Sequence, residues 1–400
     1  MDIGVGVFFV LFGFLIFQFS LFVFARFKKE KYPEFTPKIS IVIPMYNEEE
    51  NIEQCLKSIF ASEYPKKEVV IVDDGSKDRS IEIASKFDIK LVKQNHLGKV
   101  EALNCGTRHS NADFIVTIDA DTVVDKNFLK EMIKPFSDEK VGATSGAVKV
   151  LNNKSWLGIF QNIEYHNNNL IRNSFSRVFG SGIWFFGSLA AYRKKTLEEI
   201  GFFKQDTESE DMDIAMEVKN KGYKTINASK AEGWTVVPDT IIDLYRQRRR
   251  WWLGGLQTLR KNKGVFFKQD TATKFLFVNQ YWWSFYAWIS LPLFIYQIIY
   301  WWPEGAFMTG FWYIFRWFSL VGPFYVLYKL PEWGFNIYNI FGVLSGIISF
   351  FMVMCAVKIF NDKYTLRNLF AVFFYFPYTI VLNLVVCASL LSKSKKHFIE

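Results

Sequence analysis

The chain has 400 residues, 22 % of them charged, and a formal net charge of +9. The charge is segregated: residues 3–25 carry none, and residues 271–391 carry nine charged side chains. This excludes a wholly soluble protein, and the basic surplus, concentrated beside apolar runs at residues 26–31, 246–250 and 393–396, points to anionic lipid headgroups rather than nucleic acid.

Residues 3–25 are 23 uncharged residues, roughly 35 Å as a helix, enough to cross a bilayer core of about 30 Å. A signal peptide is the competing reading. Asp2 in place of a basic n-region, the length of the apolar run and the lack of a small-residue cleavage site favour a retained span. Arg26, Lys28, Lys29 and Lys31 follow, so the N-terminus is expected outside and the next domain in the cytoplasm. Residues 26–37, with two prolines, read as a linker. Cys55, Cys105, Cys355 and Cys387 show neither CxxC nor metal-ligand spacing, which suits a reducing cytosol.

Residues 38–44 (KISIVIP) are a β-branched run and predict a buried strand. A helix over 48–62, a strand over 68–72, a helix over 78–87, a strand over 89–92, a helix over 99–110 and a strand over 113–118 follow. This alternation predicts a mostly parallel sheet with helices on both faces. Such sheets bind ligands beyond the carboxyl ends of their strands, where Asp73–Asp74 and Asp119–Asp121 fall. One aspartate there is commonly a cap or turn former. Two acidic clusters ending two consecutive apolar strands repel unless a cation or donors compensate. Oxygen ligands without His or Cys suit Mg²⁺ or Mn²⁺, completed by substrate phosphates. Lys99 at a helix start can add a positive charge to a diphosphate. No GxxxxGK[ST] supports an ATPase reading.

IVIPMYNEE, VDDGS, GKVEALN and IDAD, in this order and spacing, resemble the nucleotide-sugar-binding half of family 2 glycosyltransferases. The resemblance implies the α/β GT-A (Rossmann-like) fold, inserted here between transmembrane helices. It also implies that Pro44, Tyr46 and Glu48, with Asp73 and Asp74, surround the base and ribose of a UDP-sugar. Lys99 is implied to contact the diphosphate, and Asp119 and Asp121 to hold the sugar nucleotide and its metal.

Residues 141–150 predict another strand, and 155–173 a helix rich in polar side chains, among them Glu164 and His166; a sugar-lining and a surface role both stand for it. His166 has no visible partner. The segment FFGSLAAYRKKTL resembles the acceptor-side segment of cellulose synthases, with Phe186 where that family has cysteine, and implies that Phe186, Gly187 and Ser188 lie near the acceptor. Residues 210–221 can form a helix with an acidic first turn, which favours the helix dipole and is the bland reading. Glu208, Glu210, Asp211 and Asp213 exceed capping needs. SEDMDIAMEVKNKGYKT resembles the TED segment of cellulose, chitin, hyaluronan and poly-N-acetylglucosamine synthases, which implies Asp211 as the base that deprotonates the acceptor hydroxyl. QRRRW at 247–251 matches QxxRW. On a helix Gln247, Arg250 and Trp251 share a face, with Trp251 available to stack on a sugar and Arg250 to pair with the diphosphate. A basic amphipathic helix on anionic lipid is compatible with both.

Four further spans are expected at 275–300, 306–328, 335–357 and 368–391, with turns at 301–305 and 330–334, Arg316 inside one span, and Lys393, Lys395 and Lys396 marking a cytoplasmic C-terminus. Residues 306–328 or 335–357 are also open to a re-entrant or interfacial arrangement. The resulting plan is a span at 3–25, a cytoplasmic domain at 38–240, an interfacial helix at 241–268, about four spans at 275–391 and a tail at 392–400. The implied activity is processive, inverting β-transfer from UDP-N-acetylglucosamine or UDP-glucose onto a growing polysaccharide that is exported. Single transfer to a lipid acceptor is the alternative, and a non-catalytic transporter or scaffold is the reading from another class.

Overall fold

The computed structural model describes residues 3–28, 32–266, 270–300, 302–303, 307–360 and 362–392. Asp2, Lys29, Lys31, Glu304 and the basic residues Lys393, Lys395 and Lys396 lie outside the described residues.

The chain opens with helix α1 (Ile3–Phe27). The domain then runs β1 (Ile39–Met45), α2 (Ile52–Phe60), β2 (Lys67–Asp73), α3 (Ser80–Ala84), β3 (Lys90–Lys93), α4 (Lys99–Arg108), β4 (Phe114–Ile118), β5 (Val123–Val124), α5 (Phe128–Ile133), β6 (Val141–Val150), α6 (Trp156–Phe179), β7 (Leu189–Arg193), α7 (Lys194–Ile200), α8 (Glu210–Asn220), β8 (Lys224–Thr235) and α9 (Ile241–Lys261). The sheet order is β3-β2-β1-β4-β7-β6-β8-β5. Burial of β-branched side chains on both faces explains the central strands: Ile39, Ile41, Val42 and Ile43 of β1 and Val70, Ile71 and Val72 of β2 are fully buried.

The sheet is mixed rather than mostly parallel. β3, β2, β1 and β4 are parallel neighbours, but β7 runs antiparallel to both β4 and β6, β8 is parallel to β6, and β5 is antiparallel to β8. β8 carries no sequence signal because its residues alternate polar and small, yet Thr225 and Asn227 are buried by pairing with β6. The topology has one consequence for the site. Met45 pairs with Asp73, and Ile118 pairs with Leu189, so the carboxyl ends of β1, β2 and β4 meet the start of β7 at one edge.

Beyond α9 lie α10 (Thr271–Tyr300), α11 (Phe307–Trp317), α12 (Val321–Trp333), α13 (Ile337–Ile359), α14 (Leu366–Phe373) and α15 (Tyr375–Leu391). Among the described residues, two helices are long and apolar enough to cross a membrane, at Phe9–Phe27 and Asn339–Ile359. The pair Leu366–Phe373 and Tyr375–Leu391, bent by 61°, is a third if it counts as one span. Helix α10, which covers the expected span at 275–300, is not among these, and the helices beyond it depart from the expected arrangement in two further places. The segment expected as one span at 306–328 is two short helices. Ser319 Oγ accepts from Val321 N at 3.3 Å, and Pro323, which cannot donate, sits in the first turn of the second helix. Helix α12 continues through the expected turn at 330–334. Arg316 is internally accommodated: its Nε donates to Trp312 O at 3.1 Å and its guanidinium lies 3.9 Å from the Tyr325 ring centre.

The second departure concerns residues 358–367, which five spans would place across the membrane from the domain. They dock on the domain instead. Lys149 donates to Phe360 O at 2.7 Å, His166 Nε2 and Asn162 Nδ2 meet Asp362 Oδ2 at 2.8 and 2.6 Å, and Arg367 bonds Lys154 O. The physical reason is polar satisfaction, because His166 and Asn162 are buried on α6 and need these partners. Ser392, after α15, accepts from Arg249 Nε at 2.8 Å. The bent α14–α15 pair therefore begins and ends on the domain side.

Candidate active site

The edge where β1, β2 and β4 end gathers the acidic clusters. Asp73 is buried and accepts from Gly75 N and Ser76 N, which closes the turn after β2. Asp74, also buried, accepts from Gln94 Nε2 at 2.6 Å and from Leu97 N and Gly98 N at 2.9 Å, and meets His96 Nδ1 at 2.8 Å. Burial opposes its charge, but these donors outweigh it and hold its carboxyl below the usual range. Both aspartates thus shape the loops that wall the pocket. Tyr46 stacks on His96 with ring centres 4.2 Å apart, next to Pro44 in β1. Glu48 accepts from Asn51 Nδ2 at 2.8 Å, and burial raises its pKa.

Lys99 begins α4 after Gly98, whose φ of 92° turns the chain into the helix. Its ammonium lies 2.7 and 2.9 Å from the two oxygens of Asp119 and 3.4 Å from Glu210 Oε1. Burial works against this charge, yet Asp119 and Glu210 raise its pKa. Asp119 is tied to the start of β7 through its N–H to Ser188 O at 3.3 Å. Asp121 Oδ1 accepts from Thr122 Oγ1 and from Thr235 Oγ1 at the end of β8. Burial first, then Asp119 and Glu48, push its pKa up to about 6.

Among the described residues, no group of three or more His, Cys, Asp or Glu side chains is arranged to hold a metal alone. Asp119 and Asp121 still fit a divalent ion completed by phosphate oxygens, because the crowding that raises Asp121 is the strain a cation relieves. Divalent-ion affinity should accordingly fall as pH drops through about 6, where Asp121 takes up its proton. Titrating Mn²⁺ at a series of pH values checks this, and a flat affinity between pH 7 and pH 5 would remove Asp121 from the ligand set.

Across the pocket, α8 presents Glu210 and Asp211 in its first turn. Asp211 Oδ2 accepts from Gly187 N at 2.9 Å, and Oδ1 accepts from Ser209 Oγ at 3.0 Å and Met212 N at 2.7 Å. A carboxylate has about four acceptor positions, so one remains for an incoming hydroxyl. Burial first, and then the Glu210 charge, raise its pKa, which makes it a better proton acceptor than an exposed aspartate. Glu210 behaves oppositely: burial opposes ionisation, but Lys99 and Arg250 hold its pKa down. A Cβ on Gly187 would lie 2.7 Å from Asp211 Cβ. Gly187→Ala should therefore displace Asp211 and lower turnover by about 10²-fold, with a modest fall in melting temperature from the same crowding, as steady-state kinetics beside thermal unfolding would show.

The turn that carries Gly187 is fixed from behind by residues without sequence signal. Arg172 of α6 is fully buried and donates to Gly146 O and Asn169 Oδ1 at 3.0 Å and to Ser145 Oγ at 2.7 Å. Ser145 Oγ accepts from Phe186 N at 3.0 Å and lies 3.2 Å from Phe186 O, and the Arg172 guanidinium stacks 3.9 Å from the Phe186 ring centre. Burial lowers the Arg172 pKa to about 9. Phe186 is thereby occupied by Arg172 and Tyr165, with ring centres 6.2 Å apart in the second pair.

Helix α9 closes the pocket. A Cβ on Gly254 would meet Ser209 Cβ at 2.5 Å, and Gln257 Oε1 accepts from Glu208 N at 2.8 Å, so α9 seats the start of α8. Lys261 bridges Asp206, Asp213 and Glu217 at 2.9, 2.8 and 3.2 Å. Arg250 is exposed on the side of Glu210 and Asp211. Gln247 Oε1 is buried with no partner. Trp251 packs on the sheet core under the Arg248 guanidinium, 4.3 Å from its ring centre. Arg248 in turn pairs with Glu164 at 2.9 Å, which also accepts from Tyr378 at 2.5 Å. This Arg248–Glu164–Tyr378 chain is absent from the sequence reading, which weighed Glu164 only as a polar helix residue.

Residues 40–201 match the model described as glycosyl transferase family 2. The chain is similar to poly-beta-1,6-N-acetyl-D-glucosamine synthases of Staphylococcus aureus strain COL (32 % identical over 231 residues) and Staphylococcus epidermidis (33 % over 231 residues). In both, the match covers 56 % of this chain and 56 % of the relative, so the chain matches little more than half the length of these curated relatives. Among solved structures it is similar in fold to a mannosyltransferase from Pyrobaculum calidifontis in complex with GDP-Man and Mn²⁺, with a TM-score of 0.57 and 21 % identity over 88 % of this chain and 97 % of that one.

Proposed function

We propose that this chain, whose residues 40–201 are a glycosyl transferase family 2 domain, is a membrane-bound, inverting β-glycosyltransferase that polymerises N-acetylglucosamine from UDP-N-acetylglucosamine. The observation that carries this is the meeting of Asp211, seated on Gly187 N–H at 2.9 Å, with the Lys99–Asp119–Glu210 cluster in one pocket. The similarity to poly-beta-1,6-N-acetyl-D-glucosamine synthases supports the choice of sugar and repeated transfer.

The pocket walls formed by Tyr46, Glu48 and the loops that Asp73 and Asp74 brace receive the uracil and ribose. Lys99 and Arg250 hold the diphosphate. Asp119 and Asp121 would hold Mg²⁺ or Mn²⁺ with the diphosphate oxygens, which supplies positive charge against the leaving group. The acceptor hydroxyl is positioned by the Phe186–Ser188 turn, Gln247 and Trp251. Gln247, half-buried one turn before Trp251, offers its amide to a sugar hydroxyl, and the exposed part of Trp251 offers an aromatic face. Asp211 takes the hydroxyl proton as that oxygen bonds to the anomeric carbon. The bond from that carbon to the β-phosphate oxygen breaks with its electron pair, and UDP leaves. One displacement inverts the centre, so an α-linked donor gives a β-glycoside without a second nucleophilic carboxylate.

A donor panel tests this. The full chain in detergent or native membranes should release UDP from UDP-N-acetylglucosamine at least about tenfold faster than from UDP-glucose, and its product should be a polymer with β-linkages. One sugar added per lipid acceptor would replace polymerisation with single transfer. UDP-glucose as the better donor would overturn the sugar assignment.

A further inference from the structure

Away from the Asp211 pocket, a cavity of about 440 Å³ lies where α1, α6 and the end of α13 meet the domain. Six ionisable side chains line it, three of each sign, but they are not paired with one another. Glu131 bonds Lys134 at 2.6 Å, Glu232 bonds Lys149 at 2.5 Å, and Asp125 accepts from Asn127 N at 2.8 Å. Arg26, Arg177 and Lys230 have no carboxylate partner among the described residues. With Glu131 and Glu232 engaged by lysines, these three cations face the Asp125 carboxylate alone, which leaves the lining a positive surplus. Asn173, only 9 % exposed, and Arg177 lie one helical turn apart on the stretch of α6 that lines the cavity.

Its apolar lining comes from the last turns of the two helices suited to crossing a membrane: Phe22 and Ala25 of α1, and Ile359 with Phe360 at the end of α13. A cavity with a surplus of cations and an apolar lining at the ends of these two helices matches an anionic amphiphile. Its volume is within the roughly 300–1,000 Å³ of ligand sites.

We propose that this cavity binds the headgroup of an anionic phospholipid, its phosphate among Arg26, Arg177 and Lys230 and its glycerol hydroxyls or esters on Asn173, with the acyl chains leaving over Phe22 and Ile359. Basic pockets between spans on the domain side take such headgroups. The bound lipid fastens α1 and α13 to α6.

Native mass spectrometry of the detergent-purified full chain, offered phosphatidylglycerol or phosphatidylcholine, tests the site. One phosphatidylglycerol should remain bound per chain, with about tenfold preference over phosphatidylcholine. Lys230→Glu, at an exposed position, should reduce that retention at least about fivefold, and Arg177→Gln combined with Lys230→Gln should abolish the preference. Lys57→Gln, at an exposed residue that does not line the cavity, should leave it unchanged. Equal retention of the two lipids by the wild type would overturn the proposal, as would unchanged phosphatidylglycerol retention in Lys230→Glu. Displacement of the lipid by equimolar free glycerol phosphate would assign the site to a soluble phosphate and overturn the lipid source.

Discussion

Asp211→Asn should lower turnover by about 10²–10⁴-fold, the range for loss of a positioned general base, while UDP binding changes little. The substitution keeps the size of the side chain and an oxygen to accept from Gly187 N, but an amide cannot take the acceptor proton. Stability separates this from a structural role. Burial and Glu210 raise the folded-state pKa of Asp211, so the stability that its protonated form contributes is present below the unfolded pKa and lost as pH rises through the folded one. At neutral pH the ionised carboxylate is a burden on the fold, and its relief offsets the acceptor that the asparagine amide withdraws from Met212 N, so the variant should melt near the wild-type temperature. The same shift sets the acid limb of the wild-type rate. Activity should rise with pH through a limb above the ordinary aspartate range, and Glu210→Gln should move that limb to lower pH by removing a negative neighbour. UDP-release rates across pH, with thermal unfolding of each variant, measure both. An asparagine variant that keeps more than about a tenth of wild-type turnover, or one that no longer binds UDP, would remove Asp211 from the base role.

Much of the domain is legible because buried strands write themselves as β-branched runs and the acidic motifs follow immediately. β1, β2, β4 and β6 lie within one or two residues of their expected bounds. What escaped depends on partners distant in sequence. β8 is polar in sequence and buried only because β6 lies beside it. The antiparallel β7 follows from contacts between Asp119 and Ser188 that no local pattern encodes. Arg172 reads as a surface cation on a polar helix, whereas Gly146 O, Asn169 and Ser145 satisfy it in the core. His166 lacks a partner in sequence because Asp362 is 196 residues away. Counting five spans sends residues 358–367 across the membrane, although Lys358, Lys363 and Arg367 argue against it, and their docking shows only once Lys149, Asn162 and His166 are seen to bond this segment.

Lys99→Met should cut kcat/KM for the sugar nucleotide by about 10²–10³-fold, the scale of losing one charged donor to a developing anion. Lys99 joins the two halves of the pocket, because it holds both oxygens of Asp119 from the donor side and Glu210 from the acceptor side. Its removal withdraws a charge from the diphosphate and also leaves Asp119, Asp121 and Glu48 crowded without it, while Glu210 keeps Arg250 nearby. The pKa of Asp121, already about 6, should rise further, so the variant should lose divalent-ion affinity at a higher pH than the wild type and recover part of its rate at higher Mn²⁺. Lys99→Arg keeps the charge but replaces a compact ammonium with a wider planar fork, and should restore the metal dependence more fully than the rate. Steady-state UDP release as a function of pH and Mn²⁺ reads all three, and a Met variant within about threefold of wild-type kcat/KM would sink the diphosphate role. Because Lys99 also lowers the pKa of Asp211, the effects of Lys99→Met and Asp211→Asn should not add. Once the base is gone, the part of the lysine effect that acts through it has nothing left to act on, so the double variant should be less impaired than the product of the singles.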